Sequence, residues 1–318
     1  MSKDKKTVII TGGNTGLGYE CAKVIAKNSP DWHIILASRN KDRVNSAVKE
    51  LIVTTGHQNI IGMVLDLASF SSIHHFVDQF NQAGLPPLHA IICNAGLQFA
   101  KGTQATADGI ESTFGVNHLG HFLLVRLLIE QLQDYGCIAV VSSDTHDPLM
   151  KTGMPAPKYF HPSVMADPQK SDESLAGLSS LAKGQTRYTT SKLCNIYFSY
   201  ELARQIEKSK RLITVKAFNP GMMPGKGSSL SRDYNPILKF MWNNVLPIMR
   251  FFRSSVRSTK QSGTDLANLI LDNRYNSITG KYFDGPKEIP SSKESYDVNR
   301  AKELWNWSSS VVGLDKRI

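Results

Sequence analysis

Six short apolar, β-branched runs, each followed by a longer amphipathic or polar stretch, set the strongest limit on how this chain can fold. TVIIT (7–11), HIILAS (33–38), IIGMVLDL (60–67), HAIICNAG (89–96), CIAVVSS (137–143) and LITVKAFNPG (212–221) read as strands. Near-continuous apolar runs of this kind are buried on both faces, as the strands of a parallel sheet are. The spacing between them predicts helices over roughly 16–28, 41–55, 70–83 and 108–133, and a further helix carrying Tyr188 and Lys192. Such alternation predicts an α/β fold, a parallel sheet covered by helices on both faces. Right-handed crossovers and a glycine turn after the first strand favour the Rossmann-type, doubly wound arrangement.

Two stretches interrupt the rhythm. Residues 146–183 are rich in Pro, Ser, Lys and Gly and too long for a routine connection. Residues 222–262 contain NPILKFMWNNVLPIMRFFRSSVRS, which is apolar, aromatic and basic together. Neither reads as a linker, so the chain is expected to form one domain over 1–318, with an insertion at 146–183 and an apolar substrate lid at 222–262. Pro236 and Pro247 break the 235–257 stretch into short pieces, which favours the lid. Peripheral contact with an anionic membrane, or plain packing, are the other readings of that stretch.

Composition narrows the function classes. A net charge of +10 favours anionic ligands or surfaces without choosing among them. The basic residues are dispersed and no nucleic-acid motif is present, so no nucleic-acid partner is expected. Cys21, Cys93, Cys137 and Cys194 form no C-x-x-C pair and read as reduced thiols of a cytoplasmic protein. No His, Cys, Asp and Glu grouping has metal spacing, and no metal site is expected. MSKDKK does not read as a signal peptide, and no window approaches the roughly 18 apolar residues of a spanning helix.

The turn after the first strand, GGNTGLG, carries the first chemical signal. Gly12, Gly16 and Gly18, with Asn14, Thr15 and Leu17 between them, stand where a strand ends and a helix begins. Glycines there let the backbone approach a pyrophosphate, and the helix N-terminus supplies N–H donors. About 20 residues on, an acidic side chain would bind the ribose hydroxyls of NAD. This chain has Ser38, Arg39 and Asn40 instead. A guanidinium can pair with a 2′-phosphate, so NADP(H) is the expected cofactor. The bland reading of Arg39 is a solvated surface cation.

The spacing T-G-x-x-x-G-x-G resembles that of the short-chain dehydrogenase/reductase family, and three further motifs strengthen the resemblance. VNHLGHF (116–122) is similar to the segment carrying the family's active-site asparagine, here Asn117. VVSS (140–143) matches its serine strand end, with Ser143 in that role and Ser142 as the alternative. Tyr188 and Lys192, four apart on one helix face, complete the tetrad. The resemblance implies that Asp66, Leu67, Asn94, Ala95 and Gly96 line the adenine and ribose. It also implies that Tyr188, Lys192, Pro220 and Gly221 contact the nicotinamide half. Asp66 reads equally well as a strand-end cap.

The chemistry suits these residue types. Hydride transfer to a carbonyl carbon leaves an alkoxide that needs a proton. A free tyrosine has a pKa near 10, and a neighbouring ammonium lowers it. A shift of about three units would represent roughly 4 kcal/mol. Ser143 would hydrogen-bond the substrate oxygen. The resemblance gives Lys192 a second role on the nicotinamide ribose and has Asn117 position a water. His118 and His121 read as structural, whereas His146 is open between structure and substrate contact.

Within the family, the 45 positions from Ser143 to Tyr188 resemble the light-dependent protochlorophyllide reductases. VNHLGHF, YTTSKLCN and AKELWNWSSSVVGL do likewise, and retinol dehydrogenase-like members share SRN and VNHLGHF. Two departures stand out: Met222 and Met223 occupy the place of those enzymes' cysteine, and Ser143 that of their threonine. The expected substrate is therefore a bulky apolar carbonyl or alcohol, with a tetrapyrrole-like substrate as the alternative. A non-catalytic NADP(H)-sensing protein is the alternative of another class. The chain is expected to be a monomer or homodimer.

Overall fold

A computed structural model describes residues 5–99, 102–224, 240, 244, 253 and 255–318. Its strands are β1 (Lys6–Thr11), β2 (Trp32–Ser38), β3 (Ile60–Val64), β4 (Leu88–Cys93), β5 (Leu132–Val141), β6 (Thr214–Asn219), β7 (Lys281–Asp284) and β8 (Lys287–Ile289). They form one sheet in the order β3-β2-β1-β4-β5-β6-β7-β8. All neighbours pair in parallel except β7 and β8. The strand order reverses between β1 and β4, and at such a switch point the strand C-terminal ends open a ligand crevice.

The helices are α1 (Gly16–Asn28), α2 (Lys41–Thr55), α3 (Phe70–Gln82), α4 (Ser112–Phe114), α5 (Gly120–Leu128), α6 (Pro162–Ala166), α7 (Pro168–Glu173), α8 (Ser180–Ser209), α9 (Thr259–Leu271) and α10 (Val298–Val311). Alternate strand residues feed two cores, as the period of two requires. Val8, Ile10, Ile34 and Leu36 pack with Cys21 and Ile25 of α1, Leu51 of α2 and Leu266 of α9. Ile9, Ile35, Ile91 and Val140 pack with Phe76 of α3, Phe122 of α5, Phe198 of α8 and Trp305 of α10. Each fully buried side chain of this size contributes roughly 1.5–3 kcal/mol. The sheet is therefore covered on both faces, as the doubly wound expectation requires.

The differences from the sequence reading are local. Strands β3, β4 and β6 stop before the residues that line the crevice, because Asp66, Asn94 and Pro220 lie in turns beyond the ladder. The single helix expected over 108–133 is broken. Glu111 caps α4, its two carboxylate oxygens accepting the Thr113 and Phe114 N–H groups. A π turn, Gly115–Leu119, then joins α4 to α5. A Cβ on Gly120 would lie 2.5 Å from the Leu67 carbonyl oxygen, so this glycine lets α5 seat against the end of β3.

The insertion is a folded element, not a bare loop. It forms α6 and α7, and Met165, Ala166 and Phe160 pack with Phe114 and Leu193. Asp172 accepts from Lys183 at 2.6 Å and Arg187 at 2.8 Å, tying the insertion to α8. The expected lid, and its 235–257 stretch, lie outside the described residues except for Phe240, Asn244, Arg253 and both ends. Those ends meet: Met222 N–H donates to Ser255 O at 2.8 Å and Arg257 N–H to Met222 O at 2.9 Å.

Candidate active site

The glycine turn is held by backbone geometry. Gly12 has φ +64° and Gly16 φ +58°, a region that side chains disfavour. A Cβ on Gly18 would fall 2.7 Å from Gly12 O and 2.6 Å from Asn94 Nδ2, so any larger residue would push α1 off the turn. Asn94 fastens β4 to the turn, its Nδ2 donating to Thr11 O at 2.8 Å. Thr11 Oγ1 accepts the N–H groups of Asn94 (2.9 Å) and Ala95 (3.0 Å).

His121 sits behind this turn. Its Nδ1–H donates to the Asn117 carbonyl (3.2 Å), so Nε2 is left to accept the Thr11 hydroxyl (2.8 Å). Burial pushes its pKa down to about 4, and that of His118 to about 3. His118 faces Ser308 Oγ at 3.2 Å. Both histidines are neutral packing groups, as the apolar helix face suggested.

At the far side of the turn, Ser38 ends β2 and Arg39 and Asn40 follow it. Asn40 caps α2, its Oδ1 accepting the Arg43 N–H at 2.8 Å. Arg39 and Arg43 line one cleft, so two guanidiniums stand where an NAD-selective chain would carry an acid. Arg43 escaped the sequence reading, although its place one helical turn after Arg39 was visible. Asp66 Oδ1 accepts the Ala68 N–H at 3.0 Å, the cap reading, and the residue also lines the cleft.

The other end of the cleft is built from β5, α8 and β6. Tyr188 is 8% exposed and Lys192 3%. Lys192 Nζ lies 5.4 Å from the centre of the Tyr188 ring and donates to Val141 O at 3.2 Å. Burial lowers its pKa to about 8, which leaves it an ammonium at neutral pH. A Cβ on Gly96 would lie 3.6 Å from Lys192 Nζ.

The two serines differ. Ser142 is buried and its Oγ donates to Lys192 O at 2.7 Å. Ser143 is partly exposed, and its Oγ donates to Asp144 Oδ1 at 3.0 Å. His146 accepts the Ser292 N–H on Nε2 (2.9 Å), so Nδ1–H donates to Ser143 O (2.6 Å). With both nitrogens committed and the ring buried, His146 supports the serine loop. The substrate-contact reading of His146 finds no support in this geometry.

Asn117 is likewise committed to protein groups. Its Oδ1 accepts Leu97 N–H (2.8 Å), and its Nδ2 donates to Leu97 O and Ser191 Oγ, both at 2.9 Å. Gly221 has φ +74°, and Ser262 Oγ holds Pro220 O at 2.6 Å.

One cleft of about 360 Å³ joins these parts. It is lined by Gly12, Asn14, Thr15, Gly16 and Leu17; by Ser38, Arg39 and Asn40; by Asp66, Leu67, Asn94, Ala95 and Gly96; and by Ser142, Ser143, Tyr188, Lys192, Pro220 and Gly221. Gly18 and Asn117 stand behind this lining. Met223, noted in the sequence after the Pro-Gly turn, also lines it, as do Leu97, Val116, Val141 and Thr259, which were not singled out from sequence. Among the described residues, no group of three or more His, Cys, Asp or Glu could hold a metal, and no helix is long and apolar enough to cross a membrane.

A doubly wound sheet with a bare glycine turn and a Tyr–Lys pair on one crevice defines a class, the nicotinamide-dependent oxidoreductases. The comparisons make this specific: the chain belongs to the short-chain dehydrogenase family. The short chain dehydrogenase model matches residues 6–152, and an AcuH dehydrogenase domain model matches 228–317. Protochlorophyllide reductase A, chloroplastic, of Oryza sativa subsp. japonica is 32% identical over 96% of this chain and 80% of its own length. The WW domain-containing oxidoreductase of Homo sapiens is 33% identical over 96% of this chain and 68% of its own. Among solved structures, a short chain dehydrogenase from Burkholderia cenocepacia J2315 in complex with NADP superposes with a TM-score of 0.63. It is 19% identical, covering 88% of this chain and 95% of that one.

Proposed function

We propose that this chain is an NADP(H)-dependent oxidoreductase that interconverts bulky, apolar carbonyl compounds and their alcohols, with Tyr188 as the proton donor and acceptor. The observation that carries the reading is the convergence of Tyr188, Lys192 and Ser143 on the cleft that also holds the glycine turn and two arginines. The chain works as one domain, because the sheet runs unbroken from β3 to β8.

The site fits a phosphorylated dinucleotide. Gly12, Gly16 and Gly18 leave the turn bare for a pyrophosphate, and α1 begins there with its N–H groups. Arg39 and Arg43 match a 2′-phosphate, which a guanidinium binds bidentately. Two structural neighbours hold such a cofactor, NADPH in an actinorhodin polyketide ketoreductase and NADP in the Burkholderia cenocepacia enzyme. When bound, the cofactor supplies a hydride to the carbonyl carbon.

The chain's own residues handle the oxygen. Tyr188 gives its phenolic proton to that oxygen as negative charge develops. Lys192, an ammonium at neutral pH, stabilises the phenol oxygen as the proton leaves. Ser143 donates to the same oxygen and holds it in line. Asn117 holds the loop at Leu97 through two hydrogen bonds and α8 through a third, to Ser191 Oγ. Leu97, Val116 and Met223 give the cleft an apolar wall suited to a bulky apolar substrate.

A second reading, reduction of a ring double bond in a tetrapyrrole-like substrate, is favoured by the protochlorophyllide reductase relatives. Met222 and Met223 after the Pro-Gly turn, and Ser143 at the strand end, speak for ordinary carbonyl chemistry. A purely sensing role fits poorly with an intact Tyr188–Lys192 pair. The deciding experiment is a panel of apolar aldehydes, ketones and protochlorophyllide with NADPH or NADH, in light and in darkness. Turnover of an aldehyde or ketone with NADPH in the dark supports the first reading. Consumption of protochlorophyllide only under illumination supports the second.

A further inference from the structure

We propose that Asp144 is a positioning residue whose protonation state decides whether the Ser143 hydroxyl can donate to a substrate oxygen. This rests on the reading of Ser143 given above. A serine hydroxyl has one proton and two lone pairs. Here the proton goes to Asp144 Oδ1 at 3.0 Å, and one lone pair accepts the Thr145 N–H at 3.2 Å. With Asp144 ionised, Ser143 therefore has an acceptor site left for a ligand but no donor. A carbonyl oxygen becoming an alkoxide needs a donor. With Asp144 protonated, the carboxyl O–H donates to Ser143 Oγ and the serine proton turns to the cleft. The switching proton comes from solvent, since Asp144 is only partly buried.

The surroundings of Asp144 favour the protonated form. Asp284, on β7, is already held by Arg257 (2.9 Å) and Asn219 Nδ2 (2.8 Å). Asp265, on α9, lies by the same guanidinium, and its Oδ2 is buried without a hydrogen-bond partner. Tyr282 of β7 is a buried phenol facing Asp144. On the loop itself, His146 is neutral because both ring nitrogens are committed, and Asp147 adds negative charge. Three carboxyl groups thus share one cation. Burial raises the Asp144 pKa, with Asp284 acting in the same direction, while the Ser143 hydrogen bond and Arg257 oppose it.

Protonated Asp144 makes Ser143 a donor, as the alkoxide-like oxygen of the transition state requires in either direction of the reaction. Reduction should then fall as pH rises through the Asp144 transition, above the ordinary carboxylate range near 4.

The test is kcat/KM for NADPH-dependent reduction of decanal against pH, in the wild type, Asp144→Asn, Asp144→Ala, Asp265→Asn and Ser143→Ala. The amide of Asp144→Asn donates to Ser143 Oγ at every pH. It should abolish the Asp144 limb, leave the fall near pH 8 that belongs to Lys192, and exceed the wild type roughly tenfold between the two, a modest fraction of what a lost oxyanion donor costs. Asp144→Ala should likewise lack the Asp144 limb, whereas Asp265→Asn should keep it. Independently of turnover, the infrared carboxylic-acid band that grows in the wild type as pH falls through the limb should lose intensity in Asp144→Asn. Wild-type turnover in Ser143→Ala would remove the serine reading itself. Impaired Ser143→Ala together with Asp144→Asn profiles that superpose on the wild type, or an unchanged infrared band, would overturn the Asp144 proposal alone.

Discussion

The two ends of the cleft are built by different means. At the phosphate end the working groups are main-chain atoms, exposed by glycines that a Cβ would crowd or strain. At the carbonyl end they are side chains: Tyr188, Lys192 and Ser143, braced by Asn195 of α8, which donates to Val141 O, and by His146 and Asp144 of the turn after Ser143. A backbone site depends on shape and tolerates changes in charge. A side-chain site depends on protonation and tolerates small changes in shape. The contrast predicts that substitutions at the two ends fail in different observables, binding at one and turnover at the other.

The largest expected effect is at the carbonyl end. Lys192→Met should lower kcat by roughly 10²–10³, comparable to losing a preorganised electrostatic donor. NADPH affinity, read by fluorescence titration, should fall much less. In the wild type, Lys192 is an ammonium below its pKa of about 8 and an amine above it. The rate of reduction should therefore fall as pH rises through that value. A lysine variant that loses affinity and kcat equally would erase the contrast.

Gly18→Val should do the reverse. Its side chain would meet Gly12 O and Asn94 Nδ2 inside contact distance. Overpacking of this kind costs about 1–3 kcal/mol, so a lowered melting temperature and weakened NADPH binding are expected. The kcat measured at saturating cofactor should change least. The smallest effect belongs to Arg39→Asp, which should shift the NADPH-to-NADH preference by roughly tenfold, about the worth of one charge-assisted hydrogen bond. Arg43 remains beside it and blunts the change. An unaltered preference would move the phosphate-reading role to Arg43, which Arg39→Asp combined with Arg43→Ala measures.

The same contrast explains how much could be read from sequence. The turn and the two helices after it are local: α1 and α2 run over 16–28 and 41–55, as their spacing predicts. Ser69 at the start of α3 and Asn40 at the start of α2 are capping residues visible in any sequence. The four tetrad positions were legible as motifs, but the partners that hold them were not. Ser292 lies 146 residues from His146, and Asp284 reaches Arg257 across the whole of α9. Strands β7 and β8 went unseen because they are short, and Lys281, Lys287 and Glu288 face solvent. The break before α5 depends on Glu111 capping a helix turn, and a continuous apolar pattern hides it.

The most direct test follows a deuterium atom. C4-deuterated NADPH and an apolar aldehyde, incubated in the dark with wild type and Tyr188→Phe, should give different products. The wild type should place the label on the carbinol carbon, and Tyr188→Phe should give none while still binding NADPH within a few-fold. Equal labelling by both proteins, or labelling only under illumination, would contradict the account.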